Sequence, residues 1–166
     1  MNFELKNDLL NLPSLQLTMD RIVFEHIDTL PNWSKAYEML NELLQKVVIN
    51  FNAAINKKDG KLPKASTYWV PFMDIAAKLL YFTALAKSHL IDEQDVESKG
   101  DILKHYYTSY SCLPNASIEE NEELLNEIQK SINALALKAD QPIDIKISKS
   151  FDECVLQFGN FVKNYR

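Results

Sequence analysis

The stretch "PFMDIAAKLLYFTALAKSH", residues 71–89, decides how this chain folds. Phe72, Ile75, Leu79, Phe82 and Ala86 recur at helical spacing and make one apolar face. Met73, Ala77, Tyr81, Ala84 and Leu85 occupy much of the other. Pro71 suits the first turn of a helix, where its missing N–H is no loss, and Asp74 complements the N-terminal dipole. A helix apolar nearly all round belongs in the middle of a bundle, or has a partner on its second side.

Its neighbours read as helices too. Upstream, Trp33, Tyr37, Leu40, Leu44, Val47, Phe51 and Ala54 form a seam, widened by Ala36, Leu43, Val48 and Ile55. So broad a face suits a bundle core better than a two-stranded coiled coil. Before it, Ser14 after Pro13 can cap a helix to about residue 30, with Leu15, Met19, Ile22, Val23, His26 and Leu30 inward. Downstream, a fourth helix capped by Asp92 and weakened at Gly100 runs to about residue 111. Ser117 with Glu120 makes a capping box ahead of a fifth helix, whose inner face is Leu124, Leu125, Ile128, Ile132 and Leu135. Ser150 with Glu153 makes another ahead of a sixth, bearing Phe151, Cys154, Val155, Phe158, Phe161, Val162 and Tyr165. Ile143, Ile145 and Ile147 alternate with polar residues, so a two-stranded ribbon with residues 3–5 is a minor expectation. The sum is an all-α, single-domain bundle of about six helices spanning residues 1–166.

Composition agrees. The chain has 166 residues, 46% hydrophobic and 25% charged, with three glycines, too few for a turn-rich β fold. No uninterrupted apolar run reaches the roughly 18 residues of a membrane span, and no signal peptide is evident, so a cytoplasmic protein without a membrane association is expected. Cys112 and Cys154 have apolar neighbours and read as reduced, buried thiols; the triplets at residues 32–34 and 115–117 read as chance glycosylation patterns. The net charge is -5, and the only arginines are Arg21 and Arg166. "KKDGKLPK", residues 57–64, is the one basic cluster and reads as a solvated loop, so nucleic acid is disfavoured as a partner.

The densest chemistry is "KHYYTSYSC", residues 104–112. On a helix Leu103, Tyr106, Tyr107 and Tyr110 share an arc of about 100°, with His105 outside it toward solvent. The tyrosines are first an inner face, and second a half-wet rim for a partner, which Tyr68 and Trp69 could join. His26, His89 and His105 lack metal-ligand spacing, so no metal and no cofactor is expected.

Two short motifs resemble enzyme families. "RIVFEH", with Arg21 and His26, has the R-x4-H spacing of HEPN-type ribonucleases, though Ile22 departs from their pattern. That resemblance implies a helical ribonuclease. "EENEE", residues 119–123, is similar to the E-E-x-x-E motif of MazG-type nucleotide pyrophosphatases, without their second acidic motif; it implies Mg²⁺ held between helices. Acidic residues also favour a helix start for dipole reasons alone.

No catalytic constellation stands out. The leading expectation is a non-enzymatic interaction protein of immunity, chaperone, adaptor or regulatory type. It would bind a protein with a basic surface through Tyr68, Trp69, Tyr107, Asp95, Glu97, Glu122 and Glu123. A small helical enzyme is the second expectation. A homodimer formed on the back of the residue 71–89 helix is the third.

Overall fold

The computed structural model describes residues 9–92, 94–113, 118–136, 148 and 150–165. Among them are six α-helices and no strand: α1 (Leu12–Val23), α2 (Trp33–Lys57), α3 (Trp69–Ser88), α4 (Val96–Cys112), α5 (Ile118–Ala136) and α6 (Phe151–Lys163). The protein is an all-α helical bundle. The ribbon anticipated from residues 3–5 and 143–147, and the capping box at Ser117, lie outside the described residues.

α3 is the centre. It packs on α4 and α2 most extensively, and on α1 and α6 as well. Its two apolar sides are both covered: Phe72, Ile75 and Leu79 are buried, and so are Met73, Ala77, Tyr81 and Ala84. Phe82 and Leu85 of the same helix are part-buried. By length and hydropathy Trp69–Ser88 would also pass for a membrane span, but 61% of that window is already covered by the bundle. Small residues let α3 and α4 approach closely, and Ser109 Oγ donates to the Ala77 carbonyl at 2.6 Å. Asp74 lies beyond the first turn and pairs with Lys78 at 3.1 Å, so its role is that of an i, i+4 partner and not of a dipole complement.

Helix starts follow side-chain caps. Asn11 accepts from Ser14 N–H at 3.0 Å, so α1 begins at Leu12 and Pro13 sits inside its first turn, three residues earlier than a Ser14 cap would allow. Asn32 caps α2 through Lys35 N–H at 3.0 Å. The fourth helix is capped by Asp95, not Asp92: Asp95 accepts from Ser98 N–H at 3.0 Å, while Asp92 turns the preceding loop by accepting from Gln94 N–H at 3.1 Å. Ser150 caps α6 through Glu153 N–H at 3.2 Å. Asn121, fully inside, donates to the Leu113 carbonyl at 2.8 Å and so satisfies one of the orphan acceptors at the end of α4.

α2 stops where the backbone turns left-handed, at Asp59 (φ 54) and Gly60 (φ 84), with Gly60 N–H donating to the Ile55 carbonyl at 2.9 Å. A Cβ at Gly60 would touch nothing, so Gly60→Ala isolates the conformational penalty. The expected cost is about 1 kcal/mol in a urea unfolding measurement. A neutral result would mean that the left-handed turn is absent.

The end of α1 departs from α-helical winding. Phe24–Thr29 is a π-helix. An i→i+5 turn takes up one residue more than an α turn. From the buried Ile22, α spacing would put His26 and Leu30 inward, as the sequence suggested. His26 stays half-buried, but Ile27 packs on the core and Leu30 is 76% exposed.

Candidate functional site

Three regions carry the chain's unusual chemistry. The first is the outward side of α1. Leu17 is 61% and Phe24 63% exposed, and on the helix they share an arc of about 100° with Asp20 and Arg21. Glu25, Asp28 and the exposed Leu30 follow through the π-helix, so three carboxylates and one guanidinium flank three large apolar side chains. Sequence reasoning missed this stripe. Leu17 and Phe24 sit seven apart opposite the core residues, a signal that was present but looks like isolated exposed apolar residues until Leu30 joins them past the π-helix. His26 faces its neighbour Glu25 at 3.9 Å, and the exposed Arg21 lies on the stripe.

The second region is a polar groove of about 890 Å³ among α2, α4 and α6. Tyr37 and Asn41 line one wall, Glu97, His105 and Tyr107 another, and Phe161 and Tyr165 the third. Tyr165 O–H donates to Asn41 Oδ1 at 3.4 Å across it. The Tyr107 hydroxyl is buried without a hydrogen-bond partner among the described residues, and burial raises its pKa. His105 reaches the groove only in part, because the Phe161 ring of α6 covers one side of it. It is part-buried against Phe161 at 5.1 Å, with Nδ1 2.7 Å from the Asp101 carbonyl. A carbonyl accepts only, so Nδ1 carries the proton and Nε2 is the free acceptor. Loss of water around the ring lowers the His105 pKa to about 4, outweighing the hydrogen bond to Asp101.

The third region surrounds Trp69. A cavity of about 460 Å³ lies between the last turns of α2, Trp69 and the loop that follows α2. Its walls are Leu9, Ala53, Ala54, Leu62, Pro63 and the Trp69 ring, and Lys57, Lys58, Lys61 and Lys64 stand around it. The basic cluster is therefore more than a solvated loop: the left-handed turn after α2 folds it over an apolar hollow.

The residues anticipated as one partner surface are distributed over several places. Tyr68 and Trp69 belong to an aromatic cluster at the edge of the core, with Trp69 4.8 Å from Phe72 and 6.1 Å from Phe51. Tyr68 O–H donates to the Leu10 carbonyl at 3.0 Å and accepts from Asn50 Nδ2 at 3.4 Å. Tyr107 and Glu97 line the polar groove instead. Asp95 is a helix cap, its pKa lowered by hydrogen bonds from Ser98. Glu122 and Glu123 are exposed on α5, next to the buried Asn121; the side chains of Glu119 and Glu120 lie outside the described set. Of the tyrosines in α4, Tyr106 alone is fully buried, its hydroxyl met by Ser131 and Ser88, while Tyr107 and Tyr110 are part-buried. Next to it Tyr81 is pushed up to about 12, chiefly by burial.

Cys112 and Cys154 form no disulfide and lie buried against each other: Cys112 Sγ donates to the Cys154 carbonyl at 3.5 Å, and Cys154 Sγ to the Cys112 carbonyl at 3.8 Å. The Cys154 sulfur and burial raise the Cys112 pKa well above its ordinary value, which disfavours a nucleophilic thiolate. Among the described residues no three His, Cys, Asp or Glu side chains converge as metal ligands. No family model, no curated protein and no solved structure matches this chain.

Proposed function

We propose that this chain is a non-enzymatic interaction module that docks a protein partner bearing basic and apolar groups on the outward side of α1. One observation carries the reading. Leu17, Phe24 and Leu30 are 61%, 63% and 76% exposed among acidic side chains, with Leu17 on α1, Phe24 at the start of the π-helix and Leu30 just past its end. π-Helical turns occur disproportionately at functional positions. Fully burying Leu17 or Phe24 against a partner contributes roughly 1.5–3 kcal/mol each, which is enough to anchor a complex. Asp20, Glu25 and Asp28 then favour lysine or arginine on the partner and speed the encounter. The sequence anticipated an acidic, aromatic-studded helical surface at Tyr68, Trp69 and Tyr107; this reading keeps an acidic helical surface but places it on α1, with aliphatic Leu17 and Leu30 beside Phe24.

Phe24→Lys tests it. The side chain is mostly in water, so stability changes by no more than about 0.5 kcal/mol. Affinity for the partner falls about tenfold or more, because one anchor is lost and a like charge is placed against a basic surface. Isothermal titration of the purified pair measures it. Unchanged affinity would place the interface elsewhere.

A further inference from the structure

We propose that the cavity beside Trp69 is a binding site for a single-chain aliphatic carboxylate, with its tail in the hollow and its head group among Lys58, Lys61 and Lys64. The walls and the rim call for opposite chemistries. Ala53 and Ala54 are small, and their short side chains leave the hollow open between α2 and the Trp69 ring. Leu62 and Pro63 close it from the loop side. Its volume of about 460 Å³ lies within the range of small-molecule sites, roughly 300–1,000 Å³, and such sites are mostly apolar with a few placed polar groups.

The rim supplies the polar groups. Lys58, Lys61 and Lys64 are exposed, and among the described residues none has a carboxylate partner; Lys57 stands beside them. Asp59 is the one acidic residue in that loop and is not part of the lining. Ammonium groups on flexible stems suit a compact anionic head, and their methylenes extend the apolar wall. The wall also holds an unmet acceptor. Asn50 lines the cavity, is 5% exposed, and its Oδ1 has no hydrogen-bond partner among the described residues although Nδ2 is placed on Tyr68. A water or hydroxyl carried in with the ligand would meet it.

The site is separate from the α1 surface, so the two readings stand or fall independently. Titrating the full-length protein with decanoate, below its micelle concentration and followed by calorimetry, should show one saturable site. Decanol, with the same tail and no charge, should bind about tenfold more weakly or worse, as should decanoate to the Lys58→Gln/Lys61→Gln double variant. Ala54→Phe fills the hollow and should abolish binding while the helical circular dichroism persists. If Ala54→Phe does not fold, the exposed lysine pair decides the question. Phe24→Lys should bind decanoate as the unaltered protein does. The proposal is overturned by no saturable uptake of decanoate, by equal binding of decanol, or by unchanged affinity in the lysine variant. Retention on phosphatidylserine vesicles without uptake of free decanoate would overturn it too, by assigning the lysines to a membrane surface.

Discussion

Replacing Phe158 by alanine is expected to cost about 3–5 kcal/mol of folding stability, a large share of the roughly 5–15 kcal/mol that holds a domain of this kind together. The ring is 0% exposed, 4.9 Å from Phe51 in an edge-on arrangement and 6.4 Å from Phe72. It joins α6, the last helix, to α2 and α3 across most of the sequence. Alanine would remove the transfer energy of the ring and leave a cavity that rigid helical neighbours cannot close. Leu156, on the same helix, is 49% exposed and provides the control: Leu156→Ala should change stability by about 0.5 kcal/mol or less. Urea unfolding of both variants measures the contrast. Two equal, small effects would mean that α6 is not docked on the aromatic core.

The second large effect is a loss of stability in mild acid traceable to His105. Its pKa is lowered to about 4 from an ordinary 6.5, mainly because the ring is held away from water between α4 and Phe161. As pH falls below 6.5 the unfolded chain takes up a proton that the folded chain refuses, so stability declines until about pH 4, where both forms are protonated. The stabilisation is fully present above 6.5. The shift corresponds to about 2–3 kcal/mol once some solvent access from the groove is allowed for. His105→Gln should therefore lose less stability than the unaltered protein between about pH 7 and about pH 4, by that amount. Equal losses would show that the ring is hydrated in the folded state.

Much of the bundle was readable from periodicity alone. α2 and α6 each bury one amphipathic face, and their core residues fall where the spacing puts them. α3 was legible for the opposite reason, since its lack of a polar face could be satisfied only at the centre. The misplacements have specific causes. Leu30 was assigned inward because α spacing was carried through a π-helix, and one extra residue in a turn is invisible to a 3.6-residue pattern. Asp92 and Asp95 are both competent caps, and only the loop geometry selects Asp95. His105 lies outside the arc of its own helix and would be wet but for Phe161, a contact that depends on a distant segment. The thiols of Cys112 and Cys154 meet only because α4 and α6 pack together.

The functional regions were harder to read for the same reason. Four lysines with a glycine and a proline describe a loop in any sequence. They describe a rim only when the turn at Asp59 and Gly60 brings them over Ala53, Ala54 and Trp69. Trp69 was expected beside acidic side chains, and its surroundings are basic. Carboxylates also accompany exposed apolar residues on and just after α1, where Leu30 had been assigned to the core and Leu17 and Phe24 had been given no role.

The most direct measurement compares partner capture by the unaltered protein and by Phe24→Lys, from the same native lysate at low and moderate salt, with the captured species quantified by mass spectrometry and their affinity then measured in purified form. A stoichiometric protein with a basic surface, weakened by salt and lost from Phe24→Lys while Trp69→Ala still retains it, is the expected result. A partner held equally by Phe24→Lys, or lost only from Trp69→Ala, would contradict the assignment of the interaction surface to α1.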